Sequence, residues 1–310
     1  MDPVISKLIP IFILAFIGFI AGKLKILPEN TAGALCAFLF YFSGPSVSFS
    51  NIITSEIEDI FNFRFALAML LFELVIFFLL FILYKTVFKE RGTGLIIHCI
   101  CGFYGNISYV GIPVFLSLFN DIIPNIITLL IHGMITFPLV VFLLDWFSGE
   151  ESHAGVLHAF LNSLKNPNIF IPVIASFLLF FKVHVPQVII DTADLLGKPT
   201  TAAGMFALGL TCSKSSIRSS SRVFFNALVS VLIKLLLCPA IAFIIGRFIF
   251  SLESWWLNSM VILAMLPAAL NDFILSQRYH TDEDFAGVSV LLSTFLFSIT
   301  ISLYSLMIKI

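Results

Sequence analysis

The chain has 310 residues, of which 59% are hydrophobic and 11% are charged, and its mean hydropathy is +1.07. Because a soluble protein carries about 25% charged residues, this composition excludes a soluble enzyme and a disordered scaffold, and a net charge of -1 provides no basic surface for nucleic acid. The five cysteines all lie in apolar stretches, which argues against a disulfide framework and a zinc site, so we interpret the chain as a polytopic membrane protein.

Ten apolar segments follow one another along the chain between clusters of charged residues. A membrane-spanning helix requires about 20 mainly apolar residues, and most of the segments approach or exceed that length. In chain order, spans 1 to 10 are 4–22, 31–50, 65–84, 94–119, 123–147, 168–181, 187–212, 223–250, 255–279 and 284–308. The sequence therefore predicts an all-α integral membrane protein with ten transmembrane helices.

The basic residues are distributed unevenly between the two sides that ten spans define. Ten Lys and Arg residues lie in the connections that follow the odd-numbered spans, whereas five lie in the other connections and the termini. Basic loops remain in the cytoplasm, so this distribution predicts that both termini are non-cytoplasmic. We expect the protein in the cell (inner) membrane.

The two halves of the chain show weak similarities at nearly one offset. Glu73 in span 3 corresponds to Lys234 in span 8 at an offset of 161, and Asn106 in span 4 corresponds to Asn271 in span 9 at an offset of 165. An odd number of spans in each half is typical of inverted-topology repeats. We therefore predict an inverted 5+5 repeat.

Spans 4 and 9 each contain a polar interruption. Residues 102–113 include three glycines, Asn106 and Pro113, and residues 266–272 include Pro267. Unwound backbone is tolerated at membrane depth where it lines a cavity, and the helix N-termini that such a break exposes attract a carboxylate. Two broken helices at corresponding places predict a transporter binding site; proline kinks packed by small residues are the alternative.

Three charged residues lie deep within the predicted spans and not near their ends, and a charge at that depth is costly and usually functional. Glu73 could take a proton and couple transport to a proton gradient, or form a structural pair with Lys234. Lys234 could equally supply positive charge for an anionic substrate. Asp272 could bind a proton or another cation, or be solvated in a cavity.

Several motifs together resemble the auxin efflux carrier family in order and spacing. Residues 105–113, Gly-Asn-Ile-Ser-Tyr-Val-Gly-Ile-Pro, are similar to the asparagine-to-Gly-x-Pro segment of that family. Residues 42–45 resemble its proline in span 2, and residues 165–168 resemble the Asn-Pro start of its span 6. Residues 205–210 resemble its alanine-leucine-glycine span 7, and residues 267–279 resemble its span 9 crossover.

The resemblance implies a secondary carrier of small organic anions with ten spans, two crossed broken helices (spans 4 and 9) and a homodimeric assembly. The family includes the plant PIN auxin exporters and bacterial malate permeases. In the PIN branch, asparagines beside the first crossover and at the Asn-Pro motif hold the substrate, and these motifs match Asn106 and either Asn166 or Asn168. The long PIN loop is absent and Glu73 has no lysine one turn away, so the substrate and the coupling mechanism do not carry over.

Enzyme motifs are missing, since the sequence contains no H-E-x-x-H, no G-x-S-x-G and no phosphate-binding loop. We therefore expect a transporter and not an enzyme, with no cofactor, no metal and no nucleic-acid partner, working in membrane lipid by alternating access. The substrate would be a small organic anion, either an auxin-like carboxylate or a dicarboxylate such as malate. An anion channel is a further alternative, because broken helices also build pores.

For the domain organisation, we expect residues 1–150 to form repeat 1 and residues 151–310 to form repeat 2. Spans 1, 2, 6 and 7 would form a scaffold, and spans 3–5 and 8–10 would form a moving transport bundle. The candidate substrate-binding residues are Asn106, Ile107, Ser108, Pro113, Gly44, Pro45, Asn166, Asn168, Pro267 and Asn271. The candidate residues for coupling or charge are Glu73, Lys234 and Asp272.

Overall fold

The computed structural model describes residues 3–148, 166–214 and 220–308. Within these ranges the protein is helical, and its β pairing is limited to one antiparallel bridge between Gly105 and Ala268. The helices before residue 149 are α1 Pro3–Lys23, α2 Thr31–Phe38, α3 Gly44–Ile53, α4 Ile57–Ile60, α5 Phe63–Leu83, α6 Gly92–Phe103, α7 Ile112–Phe119, α8 Ile123–Ile131 and α9 Phe137–Ser148. Those after residue 165 are α10 Pro167–Phe180, α11 Gln187–Gly197, α12 Pro199–Lys214, α13 Ser221–Leu232, α14 Cys238–Ile244, α15 Ser254–Met265, α16 Leu270–Arg278 and α17 Glu283–Ile308.

Several α-helices continue into a π-helical turn, in which the main-chain hydrogen bond spans five residues instead of four. Such a turn inserts an extra residue and rotates the side chains that follow, and it occurs frequently at functional sites. In the described residues these turns are Leu39–Ser43, Tyr84–Phe88, Ile107–Gly111, His132–Thr136, Ile233–Leu237 and Ile245–Ile249. The sequence pattern gave no sign of them.

The helices are long and apolar enough for an integral membrane protein. Five stretches in the described part of the chain could cross a bilayer by length and composition, and these are Thr31–Ile53, Ile57–Phe88, Ile123–Ser148, Ser221–Ile249 and Glu283–Tyr304. Shorter apolar helices are Phe12–Lys23, Gly92–Phe103, Ile107–Phe119, Pro167–Phe180 and Ser254–Met265. The predicted all-α membrane class is therefore confirmed, and each predicted span coincides with helix over most of its length.

The predicted span 7 is the one that the structure divides differently. Residues 187–212 form two helices, α11 and α12, which meet at Lys198. Pro199 begins the second helix because proline has no N–H to donate to the preceding turn. The Lys198 ammonium lies 3.3 Å from the Asp194 carboxylate, and both side chains are exposed. The charged opening of span 7 is therefore a separate, mostly exposed helix.

The described residues group by their contacts into two compact units. Within the described ranges, the first unit comprises residues 3–62, 107–134 and 166–214, and the second comprises residues 63–106, 135–148 and 220–308. Each unit therefore draws on both halves of the chain. In span 4 the boundary falls between Asn106 and Ile107, within the polar interruption that the sequence identifies.

In the first unit, α1 packs along α12, and α3 packs against α10 and α11. Gly18 faces the main chain of Phe206, and Gly209 faces the main chain of Ala15. Small residues at such contacts let membrane helices approach closely and gain dispersion contacts, because lipid tails provide no hydrophobic force between helices.

In the second unit, α5 packs against α6, α13 packs against α17, and α14 packs against α15. The rings of Phe65 and Trp256 are buried against each other with centroids 5.0 Å apart. This packing brings the carboxyl-terminal ends of α6 and α15 into the interior of the unit, where both helices stop.

Candidate functional site

Two extended segments of the second unit lie antiparallel where α6 and α15 end. Gly105 and Ala268 form the bridge, the Asn106 N–H donates to the Pro267 carbonyl at 2.8 Å, and the Ala269 N–H donates to the Tyr104 carbonyl at 3.2 Å. We call residues 104–106 and 266–269 the crossing. The helices are thus interrupted at both places that the sequence predicts. Some of the main-chain N–H and carbonyl groups that lose their helical partners at one interruption form hydrogen bonds with those of the other.

The residue types of the crossing fit this close main-chain contact. A Cβ atom on Gly105 would lie 3.3 Å from the Leu266 Cβ, which is closer than most Cβ contacts, and 3.5 Å from the Lys234 Nζ, which is an ordinary contact. Pro267 has no N–H and contributes its carbonyl. The Ala268 N–H, which points away from Gly105, donates to the Ser293 Oγ at 3.0 Å. Glycine and proline therefore allow two chain segments to meet where no regular helix continues.

Lys234 is the cation of the crossing. Its Nζ donates to the carbonyl of Phe103 at 2.5 Å and to the carbonyl of Ala264 at 3.0 Å. These carbonyls lie at the carboxyl-terminal ends of α6 and α15, where a helix presents unsatisfied acceptors and a partial negative charge. The side chain is only 1% exposed. One buried ammonium therefore stabilises the ends of both interrupted helices.

Asp272 is the anion of the crossing and is also 1% exposed. It lies in the first turn of α16, and its Oδ2 accepts the Ala269 N–H at 3.1 Å. Its Oδ1 is buried and has no hydrogen-bond partner among the described residues. The helix N-terminus that the sequence assigned to a substrate carboxylate is thus already capped by a carboxylate of the chain, which attracts Lys234.

Glu73 lies on α5 and is 5% exposed. Its Oε2 accepts a hydrogen bond from the hydroxyl of Thr136, in the π-helical turn that precedes α9. The sequence suggested Lys234 as the structural partner of Glu73, but both hydrogen bonds of Lys234 go to main-chain carbonyls. The charges of Glu73 and Lys234 still attract each other through the interior of the second unit.

The remaining candidates in the second unit differ in exposure. Asn106 and Pro267 are buried in the crossing itself. Asn271 is exposed on α16, and its side chain is within hydrogen-bonding reach of the Tyr104 hydroxyl. The second unit thus brings together Asn106, Pro267, Lys234 and Asp272, with Asn271 at the edge of this group.

In the first unit, Gly44, Pro45 and Asn168 lie together. The Asn168 Nδ2 donates to the Phe40 carbonyl at 2.8 Å. In the π-helical register of residues 39–43, that carbonyl would otherwise receive an N–H from residue 45, which proline lacks. The Asn166 Oδ1 accepts the Asn168 N–H at 2.9 Å and caps the start of α10. Both asparagines therefore have a structural use at the proline of span 2.

Ile107, Ser108 and Pro113 belong to the other side of the span 4 interruption, in the first unit. The Ile107 carbonyl accepts a hydrogen bond from the Asn125 Nδ2 at 3.0 Å, and Ser108 is partly buried in the π-helical turn that follows. Pro113 lies in the first turn of α7, where its missing N–H costs nothing. The interruption is therefore centred on Gly105, and Pro113 begins the next helix.

Three further residues at the site, Thr136, Ser293 and Tyr104, were not predicted from the sequence. Hydroxyl residues are frequent in membrane helices and satisfy neighbouring backbone, so Thr136 and Ser293 carry no distinctive signal. Tyr104 lies between two glycines of the interruption in span 4, and a tyrosine within a glycine-rich break could have drawn attention to it.

Comparison with known proteins shows similarity along nearly the whole chain. A family model described as "Membrane transport protein" matches twice, at residues 3–161 and 156–305. "Uncharacterized transporter YfdV" of Escherichia coli (strain K12) is 25% identical over 97% of this chain and 96% of its own length. "Putative malonate transporter" of Rhizobium meliloti (strain 1021) is 23% identical over 97% of this chain and 95% of its own. "Uncharacterized transporter MJ1031" of Methanocaldococcus jannaschii is 24% identical over 95% of each chain.

Proposed function

Since the chain belongs to the membrane transport protein family, in agreement with the motifs that resemble auxin efflux carriers, we propose that it is a secondary active transporter that moves a small organic anion by alternating access. Among the substrate classes, a dicarboxylate of malonate or malate size is favoured over an auxin-like aromatic acid, because one relative carries the name of a malonate transporter. Membership of a transporter family agrees with the expectation that the chain is not an enzyme.

The observation that carries this proposal is the buried Lys234 ammonium at the crossing. An ammonium has three N–H donors, and among the described residues two of them are used by the carbonyls of Phe103 and Ala264. The third donor is available to a carboxylate. A cation fixed between two main-chain carbonyls cannot follow its substrate out of the site, so it attracts the anion in either orientation of the carrier.

The side chains of Asn106 and Asn271 would orient the substrate near this charge, with Pro267 lining the site. Amide groups provide both donors and acceptors, and such a pair can bind either the carboxylate or a second polar group. In the first unit, Ile107, Ser108 and Pro113 lie in the segment that follows Asn106 in the chain. The role of Gly44, Pro45, Asn166 and Asn168 would be mainly to fix the helices around the proline of span 2.

We assign the coupling step to Asp272 in preference to Glu73. A carrier that brings an anion into the membrane interior gains by binding a proton or another cation with it, since the net charge moved is reduced. Asp272 is buried at the crossing and has one oxygen without a hydrogen-bond partner in the described structure. Glu73 lies on α5, outside the crossing, where it accepts from Thr136, and we assign it a structural role.

The architecture expected of this function is a ten-helix inverted repeat with a scaffold of spans 1, 2, 6 and 7. The composition of the first unit supports this assignment, because it contains those four spans together with residues 107–134. The second unit, which contains spans 3 and 8–10 and the crossing, would be the moving part. The same family resemblance supports a homodimer with non-cytoplasmic termini in the cell membrane.

The test is uptake of radiolabelled malonate into proteoliposomes against its concentration gradient, driven by an imposed pH gradient. Wild-type protein should accumulate the anion, and Lys234→Gln should lose uptake because its amide can donate to a carbonyl but carries no charge. Lys198→Gln, which removes an ammonium from an exposed helix, is the matched control. Wild-type uptake by Lys234→Gln would overturn the site. If the wild-type protein moves malonate only down the malonate concentration gradient, the anion channel would be favoured.

A further inference from the structure

Glu90, His98 and Asp282 lie close together in the second unit, and none of them belongs to the segments that form the crossing. Their possible ligand atoms, one from each side chain, all lie within 4.8 Å of one another. The His98 Nε2 is 3.4 Å from the Asp282 Oδ2. The three residues come from different segments, since Glu90 precedes α6, His98 lies within α6, and Asp282 precedes α17.

The imidazole of His98 is held in one orientation. It is 3% exposed and stacks on the ring of Phe285, with centroids 3.7 Å apart and planes 8° from parallel. The ring of Tyr84 packs on it edge-on at 5.1 Å. Because these two rings fix the imidazole plane, the Nε2 atom is directed at the Asp282 carboxylate without freedom to turn away.

The carboxylate of Asp282 lies so close to α6 that only glycine fits at position 94. A Cβ atom on residue 94 would lie 2.5 Å from the Asp282 Oδ2, so Gly94 permits the contact. Asp282 itself has a φ of 48°, a left-handed conformation that is uncommon for residues with a side chain. Its side chain remains 41% exposed, which gives an ion a path from solvent.

The segment that leads to Asp282 is anchored to other parts of the second unit. The hydroxyls of Thr281 and Thr93 are 2.8 Å apart, and the Tyr279 hydroxyl donates to the Asp145 Oδ1 at 2.5 Å. The Glu90 N–H donates to the Tyr84 carbonyl at 3.0 Å. The three ligand side chains are therefore presented by backbone that is already fixed.

From this arrangement we infer that Glu90, His98 and Asp282 bind a divalent transition-metal ion of the zinc type. Zinc binds imidazole nitrogen and carboxylate oxygen at about 2.0–2.2 Å in tetrahedral geometry, which separates neighbouring ligand atoms by about 3.4 Å. The distance between the His98 Nε2 and the Asp282 Oδ2 has this value already, and Glu90, whose side chain is partly exposed, completes the set by a rotation. Three protein ligands leave a fourth position for water.

The site is independent of the proposed transport function, and it needs no cysteine. The five cysteines lie in apolar stretches and offer no zinc site. His98 and Asp282 are far apart in the chain, so no spacing motif could bring them together. An ion bound here would tie the start of α6 to the segment before α17, because its ligands lie on both.

The experiment is a titration of the purified full-length protein with Zn2+ in detergent, monitored by isothermal titration calorimetry. The protein carries no polyhistidine tag, because a tag would itself bind Zn2+. Wild-type protein should bind Zn2+ saturably at a single high-affinity site. Asp282→Asn, Glu90→Gln and His98→Gln should each weaken that site by more than about tenfold. His184→Gln, which removes an exposed imidazole, should bind as the wild type does.

The two exposed ligands keep the test independent of folding. If His98→Gln fails to fold because its ring is buried, Asp282→Asn and Glu90→Gln still decide the question, with size-exclusion profiles as the check. X-ray absorption of the Zn2+-loaded protein should show one imidazole and otherwise oxygen ligands. Equal Zn2+ affinity of wild type and Asp282→Asn, or no saturable binding to wild type, would overturn the site.

Discussion

The main-chain N–H of Asn106 donates to the carbonyl of Pro267 at 2.8 Å. The two residues lie in interruptions that the sequence places in separate halves of the chain. This bond and the neighbouring bond from the Ala269 N–H to the Tyr104 carbonyl join the two interrupted segments through main-chain atoms. The side chain of Asn106 therefore has no part in these two bonds, and its removal can be tested without breaking them.

Asn106→Ala should abolish substrate binding while the protein stays folded, because the bond from residue 106 to Pro267 uses only main-chain atoms. The measurement is the rise in melting temperature caused by malonate, compared with wild type. Asn258→Ala removes a partly buried amide that accepts from Tyr304 elsewhere in the second unit, and it is the control. An unchanged malonate response in Asn106→Ala would remove this side chain from the site.

Asp272→Asn should flatten the pH dependence of uptake, whereas Glu73→Gln should leave the profile as it is. Asparagine keeps an oxygen that can accept the Ala269 N–H but cannot gain or lose a proton, and glutamine likewise keeps an acceptor for Thr136. Initial rates of uptake between pH 5 and 8, about the range in which carriers are assayed, provide the comparison. The reverse pattern would transfer the coupling role to Glu73.

Asn168→Ala should lower the free energy of unfolding by about 1 kcal/mol, because the partly buried Phe40 carbonyl would lose its donor. Asn166→Ala should cost about 1 kcal/mol through the loss of a helix cap. Thermal unfolding of both variants in detergent measures the difference. If malonate still raises the melting temperature of both, the two asparagines act on the helices and not on the substrate.

Asp282→Asn should lower stability at neutral pH by less than about 1 kcal/mol, because the carboxylate is partly exposed to solvent. The hydrogen bond to His98 holds the pKa of Asp282 below its usual range. A lowered carboxyl pKa contributes stability above the unfolded pKa of about 3.9, and this contribution is lost as the pH falls through the folded value.

The melting temperatures of wild type and Asp282→Asn, measured with a chelator present, should therefore differ at pH 7 and converge in acid below about pH 4. The chelator separates this hydrogen-bond effect from metal binding. A gap that persists at the lowest pH would mean that the Asp282 carboxylate contributes nothing specific through its charge.

The sequence predicted the helical segments and the two interruptions because these depend on local properties, namely apolar runs between charges and clusters of glycine and proline. It could not predict that Lys234 donates to Phe103 and Ala264, since that contact depends on how distant helices rotate against each other. The π-helical turns add to this difficulty, because each one changes the face of the helix on which later residues lie.

The candidate site shows the same division. The sequence marks Asp272 as an ionisable residue in a break. Its hydrogen bond from the Ala269 N–H could not be predicted, because that bond depends on α16 beginning at Leu270. The partnership of Asn168 with the Phe40 carbonyl required the meeting of α10 with the proline of span 2. Residue type and local context could therefore nominate the residues, but not their partners.

The crossing has a consequence for how such a protein can diversify. Its two antiparallel hydrogen bonds join main-chain atoms only, so most side chains there can change without loosening the junction. The exception is Gly105, where a Cβ atom would lie 3.3 Å from the Leu266 Cβ. Substitutions of these side chains can therefore change the preferred substrate with little effect on folding. Related chains with different substrates could descend from one ancestor by a few such substitutions, while the main-chain junction stays the same.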